Sequence, residues 1–180
     1  KESLIISIFV IFIYIFLFMN KNNLVLVKSS NNGHNVLVNN DSFKNVSANL
    51  LSSIISNMYK LRNHLIENKE QFKDPELKDS IELLEKNLNQ SRTKIYENPP
   101  TSKYTSYSVN KGEEVAFCLK SKNKNQLGQY PMHQLNLLMY VAIHEMAHIG
   151  CHEIGHTELF KKIFEFYTQN IRHIMSEQKK

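Results

Sequence analysis

The stretch Leu137-Leu-Met-Tyr-Val-Ala-Ile-His-Glu-Met-Ala-His-Ile-Gly150 decides the fold of this chain. Its apolar residues form a helical run that contains the motif His144-Glu145-x-x-His148. Residues four apart share one helix face, so both imidazoles can reach a single metal ion. Glu145 points about 100° around the helix, where its carboxylate can hold a water molecule instead of binding the ion. The pattern predicts a zinc site with Glu145 as the catalytic residue.

The third zinc ligand must come from outside this helix, because a catalytic zinc has three protein ligands and one open position. On a continued helix, His152 would lie roughly 12 Å along the axis from His144, at about 1.5 Å per residue. Gly150 and Gly155 allow the helix to end and the chain to reverse, which makes His156 the preferred third ligand. His152 is the second choice. The predicted cofactor is therefore Zn²⁺, bound by the two motif histidines and His156.

Strand and helix patterns flank the motif on both sides. The sequence predicts two strands, at 104–110 and 114–120, joined by a turn that contains Lys111-Gly112. Apolar residues recur at helical spacing from residue 160 to residue 174, which predicts a last helix packed over the motif helix. Two amphipathic helices, the second capped by Asp74 before Pro75, are expected to pack together upstream.

The predicted fold class is α+β, in four segments. A transmembrane signal anchor covers 1–20, and a juxtamembrane linker or small strand pair covers 21–41. A helical hairpin region covers 42–98. A minimal zincin-like domain, with a small β-sheet and the HExxH helix, covers 99–180.

An apolar run at 4–19 is the basis for the predicted membrane contact. Its 16 residues cover roughly 24 Å, slightly short of a hydrocarbon core of about 30 Å, so flanking residues or bilayer thinning must help. A cleaved signal peptide is the rival interpretation, but Asn20-Lys-Asn-Asn23 follows where small residues would be expected. Lys21 and Lys28 follow the run and Lys1 precedes it, which favours a C-terminal domain on the cytoplasmic or virion-interior side. We therefore expect a single-pass membrane protein.

Charge and cysteine content exclude some classes of protein. Two cysteines, Cys118 and Cys151, cannot form a disulfide framework, which favours a reducing compartment. The net charge of +5 is modest and spread along the chain. The one small cluster, Lys120, Lys122 and Lys124, is typical of a solvated loop more than of a nucleic-acid patch. Nucleic acid is therefore not an expected partner.

A family resemblance rests on four quoted segments. The motif segment Tyr140-Val-Ala-Ile-His-Glu-Met-Ala-His148, followed by Gly155-His-Thr-Glu-Leu-Phe160, resembles the WLM-type zinc peptidases, relatives of the SprT-like proteases. The upstream segments are Thr105-Ser-Tyr-Ser-Val-Asn-Lys-Gly112 and Phe117-Cys-Leu-Lys120. They are similar to segments before the motif in WLM-like proteins of large DNA viruses, some of which carry an N-terminal membrane segment. The resemblance covers residues 95–170.

The resemblance implies that 99–180 is a WLM-like domain that cleaves peptide bonds. In such a domain the three histidines named above are ligands and Glu145 is the general base. The chain departs from the pattern at Lys161, where an aromatic residue is expected. This departure bears on the C-terminal boundary of the domain and leaves the metal site unchanged.

The predicted function is a membrane-anchored zinc metallopeptidase that hydrolyses peptide bonds through a zinc-bound water. Its partners are the membrane, through 4–19, and a protein or peptide substrate that adds as a strand to the edge of the predicted hairpin. Tyr104 and Tyr107 are candidate transition-state donors, although packing is the favoured role for each.

Two other functions stay open. The first is a non-catalytic zinc-binding structural or assembly protein of a virion or viral membrane, with capsid or membrane proteins as partners. A side chain such as Cys151 at the fourth zinc position would favour that function. The second is processing of DNA-bound proteins, which a membrane anchor and the absence of a strong basic patch disfavour.

Overall fold

The computed structural model describes residues 23–177, which form a five-stranded sheet and four α-helices. The fold is α+β, as predicted. The elements in chain order are β1 (Leu24–Lys28), β2 (Asn35–Asn39), α1 (Lys44–Glu67), a 3-10 turn (Lys69–Gln71), α2 (Pro75–Asn87), β3 (Lys94–Glu97), β4 (Ser106–Val109), β5 (Glu114–Phe117), α3 (Leu135–Gly150) and α4 (Glu158–Glu177).

The sheet is mixed, with strand order β1-β2-β3-β5-β4. The pairs β1–β2 and β4–β5 are antiparallel hairpins, whereas β2–β3 and β3–β5 are parallel. A parallel pair needs a crossover connection, and α1 and α2 provide it between β2 and β3. Strand β4 is therefore an edge strand, and it contacts α3, the helix that carries the histidine motif.

The helices bury one stripe each because their apolar residues recur every three or four positions. In α1 the stripe includes Leu51, Ile54, Met58, Leu61 and Leu65, each fully buried. Helix α2 begins where predicted, with the Asp74 carboxylate accepting a hydrogen bond of 3.0 Å from a backbone N–H in the first turn. One continuous apolar core joins α1, α2, α3 and α4 with the inner face of the sheet.

The predicted segment boundaries at residues 20, 41 and 98 stay predictions.

The structure corrects the prediction of an N-terminal transmembrane helix and of a single-pass membrane protein. No helix within residues 23–177 is both long enough and apolar enough to cross a membrane. Helix α1 has 24 residues but carries many polar and charged residues outside its buried stripe. The apolar α3 has 16 residues, about 24 Å against a hydrocarbon thickness of about 30 Å. The run 4–19, on which the prediction rested, lies outside the described residues.

A buried ion pair connects the sheet to the segment after β5. Lys120 is 2% exposed, and its Nζ lies 2.9 Å from Oε1 of Glu97, which is fully buried at the end of β3. The same Nζ donates to Asp41 Oδ2 at 2.6 Å. Glu97 also accepts from the backbone N–H of Asn39 and from the hydroxyl of Ser47. Lys120 is therefore a core residue, and its predicted place in a solvated loop was wrong.

Candidate metal centre

Three histidine side chains meet at one point beside the sheet. His144 and His148 lie one turn apart on α3, and their Nε2 atoms are 3.2 Å apart. His156, from the loop between α3 and α4, places its Nε2 3.1 Å from that of His144. One ring nitrogen from each residue lies within 4.8 Å of the others. The structure thus brings together the three predicted ligands.

Two of the three nitrogen–nitrogen distances match those around a tetrahedral zinc ion. Zinc–imidazole bonds of about 2.0–2.1 Å require ligand atoms roughly 3.3 Å apart on a tetrahedron. The two Nε2–Nε2 distances from His144, 3.2 and 3.1 Å, are close to this value, and all three ligand atoms lie within 4.8 Å of one another. Among residues 23–177, the group that could hold a metal ion contains these three histidines and neither Glu145 nor Cys151. This set matches the three protein ligands that a catalytic zinc site has.

The surroundings of the motif histidines favour the neutral imidazole, which is the form that binds metal ions. Partial burial lowers the pKa of His144, and the nearby His156 lowers it further. For His148, burial and then the positive charges of His144, His156 and Lys111 lower the pKa to about 4. At neutral pH no proton has to be displaced from His148 before a metal ion binds.

The chain reverses at two glycines to bring His156 back. Helix α3 ends at Gly150, the next residue is extended, and Gly155 has a φ of +89° that favours glycine. His152 is exposed and is not a member of the histidine cluster. The structure therefore favours His156 over the second choice for the third ligand.

Substitution of Gly150 by alanine is expected to destabilise the protein by about 1–3 kcal/mol, through overpacking. A Cβ atom at Gly150 would lie 2.3 Å from the hydroxyl oxygen of Tyr167. That hydroxyl cannot move easily, because it is fully buried and lies 2.7 Å from Ser80 Oγ. Chemical denaturation measures the loss.

The control for this prediction is the same substitution in a Tyr167→Phe background. Removal of the hydroxyl takes away the nearest atom that the new Cβ would meet and leaves the two Ser80 oxygens at 3.1 Å, so Gly150→Ala should cost less there. An equal loss in both backgrounds would contradict the steric explanation.

Glu145 lies beside the histidines and is almost completely buried, at 6% exposure. Burial raises the pKa of its carboxyl group, and a hydrogen bond with the Ser108 side chain partly offsets that rise. Ser108 comes from the edge strand β4, so this strand orients the carboxylate. Both residues line an open cleft of about 550 Å³ together with the three histidines. A carboxylate at this place can accept a proton from a water molecule in the cleft.

The two candidate tyrosines contact other tyrosines, and Tyr104 is 59% exposed. Side chains alternate along a strand, so with Ser108 directed at α3, Tyr107 projects from the opposite face of β4. Its hydroxyl lies 3.0 Å from the hydroxyl of Tyr96, and the ring of Tyr104 packs edge-on against it at 5.9 Å between centroids. The Tyr107 hydroxyl is thus directed away from the histidines, although the residue borders the cleft.

Two contributors to the site were not recognised from the sequence. The ring of Phe160, buried in α4, stacks on His148 at 4.2 Å between centroids and lies within 5.0 Å of the other two imidazoles. Sequence periodicity identified Phe160 only as a core position. The ammonium group of Lys111 contacts three carbonyl oxygens around the end of α3. The sequence around Lys111 predicted only a turn.

Comparisons with known proteins place the site in context. No family model matches the chain. An uncharacterised protein of Acanthamoeba polyphaga mimivirus is 41% identical over 140 residues, which make up 78% of this chain and 66% of that protein. An uncharacterised protein of Invertebrate iridescent virus 6 is 37% identical over 60 residues, 33% of this chain and 32% of that protein. This chain therefore spans less than two thirds of the length of each relative.

A solved structure shares the fold. The crystal structure of Wss1 from Saccharomyces cerevisiae matches with a TM-score of 0.54, over 78% of this chain and 89% of that chain. The sequence identity is 17%, so the likeness concerns the fold alone.

Proposed function

We propose that this chain is a zinc-dependent metallopeptidase of the WLM type, which hydrolyses peptide bonds. The observation that carries the proposal is the convergence of three imidazole nitrogens beside the buried carboxylate of Glu145, in one open cleft. The fold shared with Wss1, a WLM-domain metalloprotease, supports it. Kinship with the SprT-like proteases stays a prediction from the sequence.

In this mechanism His144, His148 and His156 would hold the ion. A zinc ion held there would supply Lewis acidity to a water molecule and to the peptide carbonyl in the cleft. Glu145 accepts the water proton on a carboxylate oxygen and passes it to the leaving amine. Its raised pKa suits this exchange, because a base that holds its proton more tightly is better matched to neutral pH.

The substrate is proposed to bind as an extended peptide along β4. This strand is paired on one side, with β5, and its other edge borders the cleft. Backbone N–H and C=O groups on such an edge can pair with an added strand. Because β4 also carries Ser108, a peptide on this edge would lie next to Glu145.

The alternative of a non-catalytic zinc protein is less well supported. Its distinguishing feature would be a protein side chain at the fourth zinc position. Cys151, the residue named for that role, is buried and lies outside the histidine group. Catalysis is therefore the function that the site supports best.

Metal analysis with a protease assay tests the proposal. We expect one zinc per chain, cleavage of an unfolded protein substrate, loss of cleavage with a chelator and recovery with added zinc. His156→Ala should lower zinc affinity by more than the 10–100-fold that is typical for outer-shell residues. His152→Ala is the matched control, since His152 is exposed in the same loop and outside the cluster.

Two outcomes would count against the proposal. One zinc per chain without cleavage of any substrate in a broad set would favour the structural alternative. A larger loss of zinc affinity in His152→Ala than in His156→Ala would mean that the third ligand had been misassigned.

A further inference from the structure

The turn between β4 and β5 is held in a strained conformation against the end of α3. Asn110 and Lys111 have φ angles of +47° and +55°, a region that residues with a side chain seldom adopt. Gly112 follows with a φ of +101°, and a Cβ atom there would lie 3.2 Å from side-chain carbons of Ile149. The guanidinium of Arg92 donates to the Asn110 carbonyl at 3.4 Å and fixes the turn from the other side.

This conformation directs the Lys111 side chain into the reversal that follows α3. Its Nζ lies 2.6 Å from the carbonyl oxygen of Cys151, 2.9 Å from that of Glu153 and 3.4 Å from that of His148. The first two carbonyls belong to the segment that leads to His156, and the third belongs to a histidine of the cluster. A positive charge at a helix C-terminus is also favourable, because the last carbonyls of a helix carry partial negative charge.

We infer that Lys111 is a positioning residue for the metal centre: by binding three carbonyls across the reversal, it fixes the loop that presents His156 to His144 and His148. The inference rests on the proposed zinc site. An ammonium group has three N–H donors, and the three carbonyls account for all of them. Lys111 therefore acts through the loop, although it borders the cleft where a substrate would bind.

The test compares Lys111→Met with Lys122→Met in the full chain. Lys122 is the matched control, because its Nζ also binds two backbone carbonyls, those of Ser102 and Lys103, at 2.8 and 2.9 Å. Zinc affinity is measured by competition with a chelator, and Co²⁺ absorption reports the ligand geometry. We expect Lys111→Met to weaken zinc binding about 10–100-fold and to reduce the tetrahedral Co²⁺ band. Lys122→Met should bind both ions as the wild type does.

The His156→Ala background shows whether Lys111 acts through His156. If it does, adding Lys111→Met to His156→Ala should weaken zinc binding no further, since the two residues serve one ligand. Lys111→Arg, which keeps the charge, should recover part of the affinity and is the variant to use if Lys111→Met does not fold. Wild-type zinc affinity in Lys111→Met, or additive losses in the double variant, would overturn the inference. Absence of zinc from the wild type would instead refute the proposed function.

Discussion

Glu145→Gln is expected to lower the rate of peptide hydrolysis by about 10²–10⁴-fold, the contribution typical of a general base. Glutamine has nearly the same shape as glutamate but cannot accept the proton of a neutral water molecule. Zinc content should stay at one per chain, because Glu145 lies outside the group of candidate ligands. The measurement is kcat/KM on an unfolded protein substrate, with zinc determined on the same sample.

Glu153→Gln is the matched control, since Glu153 lines the same cleft from the loop that carries His156. The Glu153 carboxylate is not beside the motif histidines in the sequence. We expect the activity of Glu153→Gln to stay within a few-fold of the wild type. Full activity of Glu145→Gln with zinc still bound would remove the proposed role of the carboxylate. Loss of zinc from Glu145→Gln would mean that the residue supports the ion instead of moving a proton.

The three histidines of the candidate site could be predicted because their convergence depends on local geometry. Helical periodicity places His144 and His148 on one face, and two glycines within six residues make a reversal before His156 available. The same kind of local signal predicted the cap at Asp74 and the apolar stripe of α1. These patterns need no knowledge of which distant segments come together.

Features that depend on pairing between distant segments could not be predicted. The sequence predicted a linker or a small strand pair at 21–41, where the structure has β1 and β2. These strands are part of the same sheet as β3 and β5. The sequence around Lys111 indicated only a turn. The inferred positioning role of Lys111 depends on carbonyls about 40 residues later in the chain. The membrane prediction used the hydropathy of residues 4–19 alone, and no helix of the described residues supports it.

Lys120 is the clearest case in which the neighbouring residues in the sequence led to a wrong prediction of exposure. In the sequence it belongs to a run with Lys122 and Lys124, which is typical of a solvated loop. Its carboxylate partners are Asp41, 79 residues earlier, and Glu97, on a different strand. Charge patterning along the sequence cannot distinguish such a buried cation from an exposed one.

Lys120→Met is expected to destabilise the protein by about 3–5 kcal/mol, the typical cost of removing one partner of a buried ion pair. Methionine fills much of the space but leaves the fully buried Glu97 carboxylate without its cation. Chemical denaturation at pH 7 measures the loss. Lys69→Met is the matched control: Lys69 pairs with Glu82 at 2.9 Å on the surface, where such pairs contribute about 1 kcal/mol or less.

The pH dependence gives an independent check on the buried pair. Burial alone would lower the pKa of Lys120, but its hydrogen bonds with the carboxylates of Asp41 and Glu97 outweigh burial and raise it. A pKa above the unfolded-state value means that the stabilisation is complete below about pH 10.4 and is lost as the pH rises through the folded-state pKa. Lys120→Met should lack this alkaline step. A variant that lost under 1 kcal/mol, or kept the full alkaline step, would show that Glu97 finds its compensation elsewhere in the core.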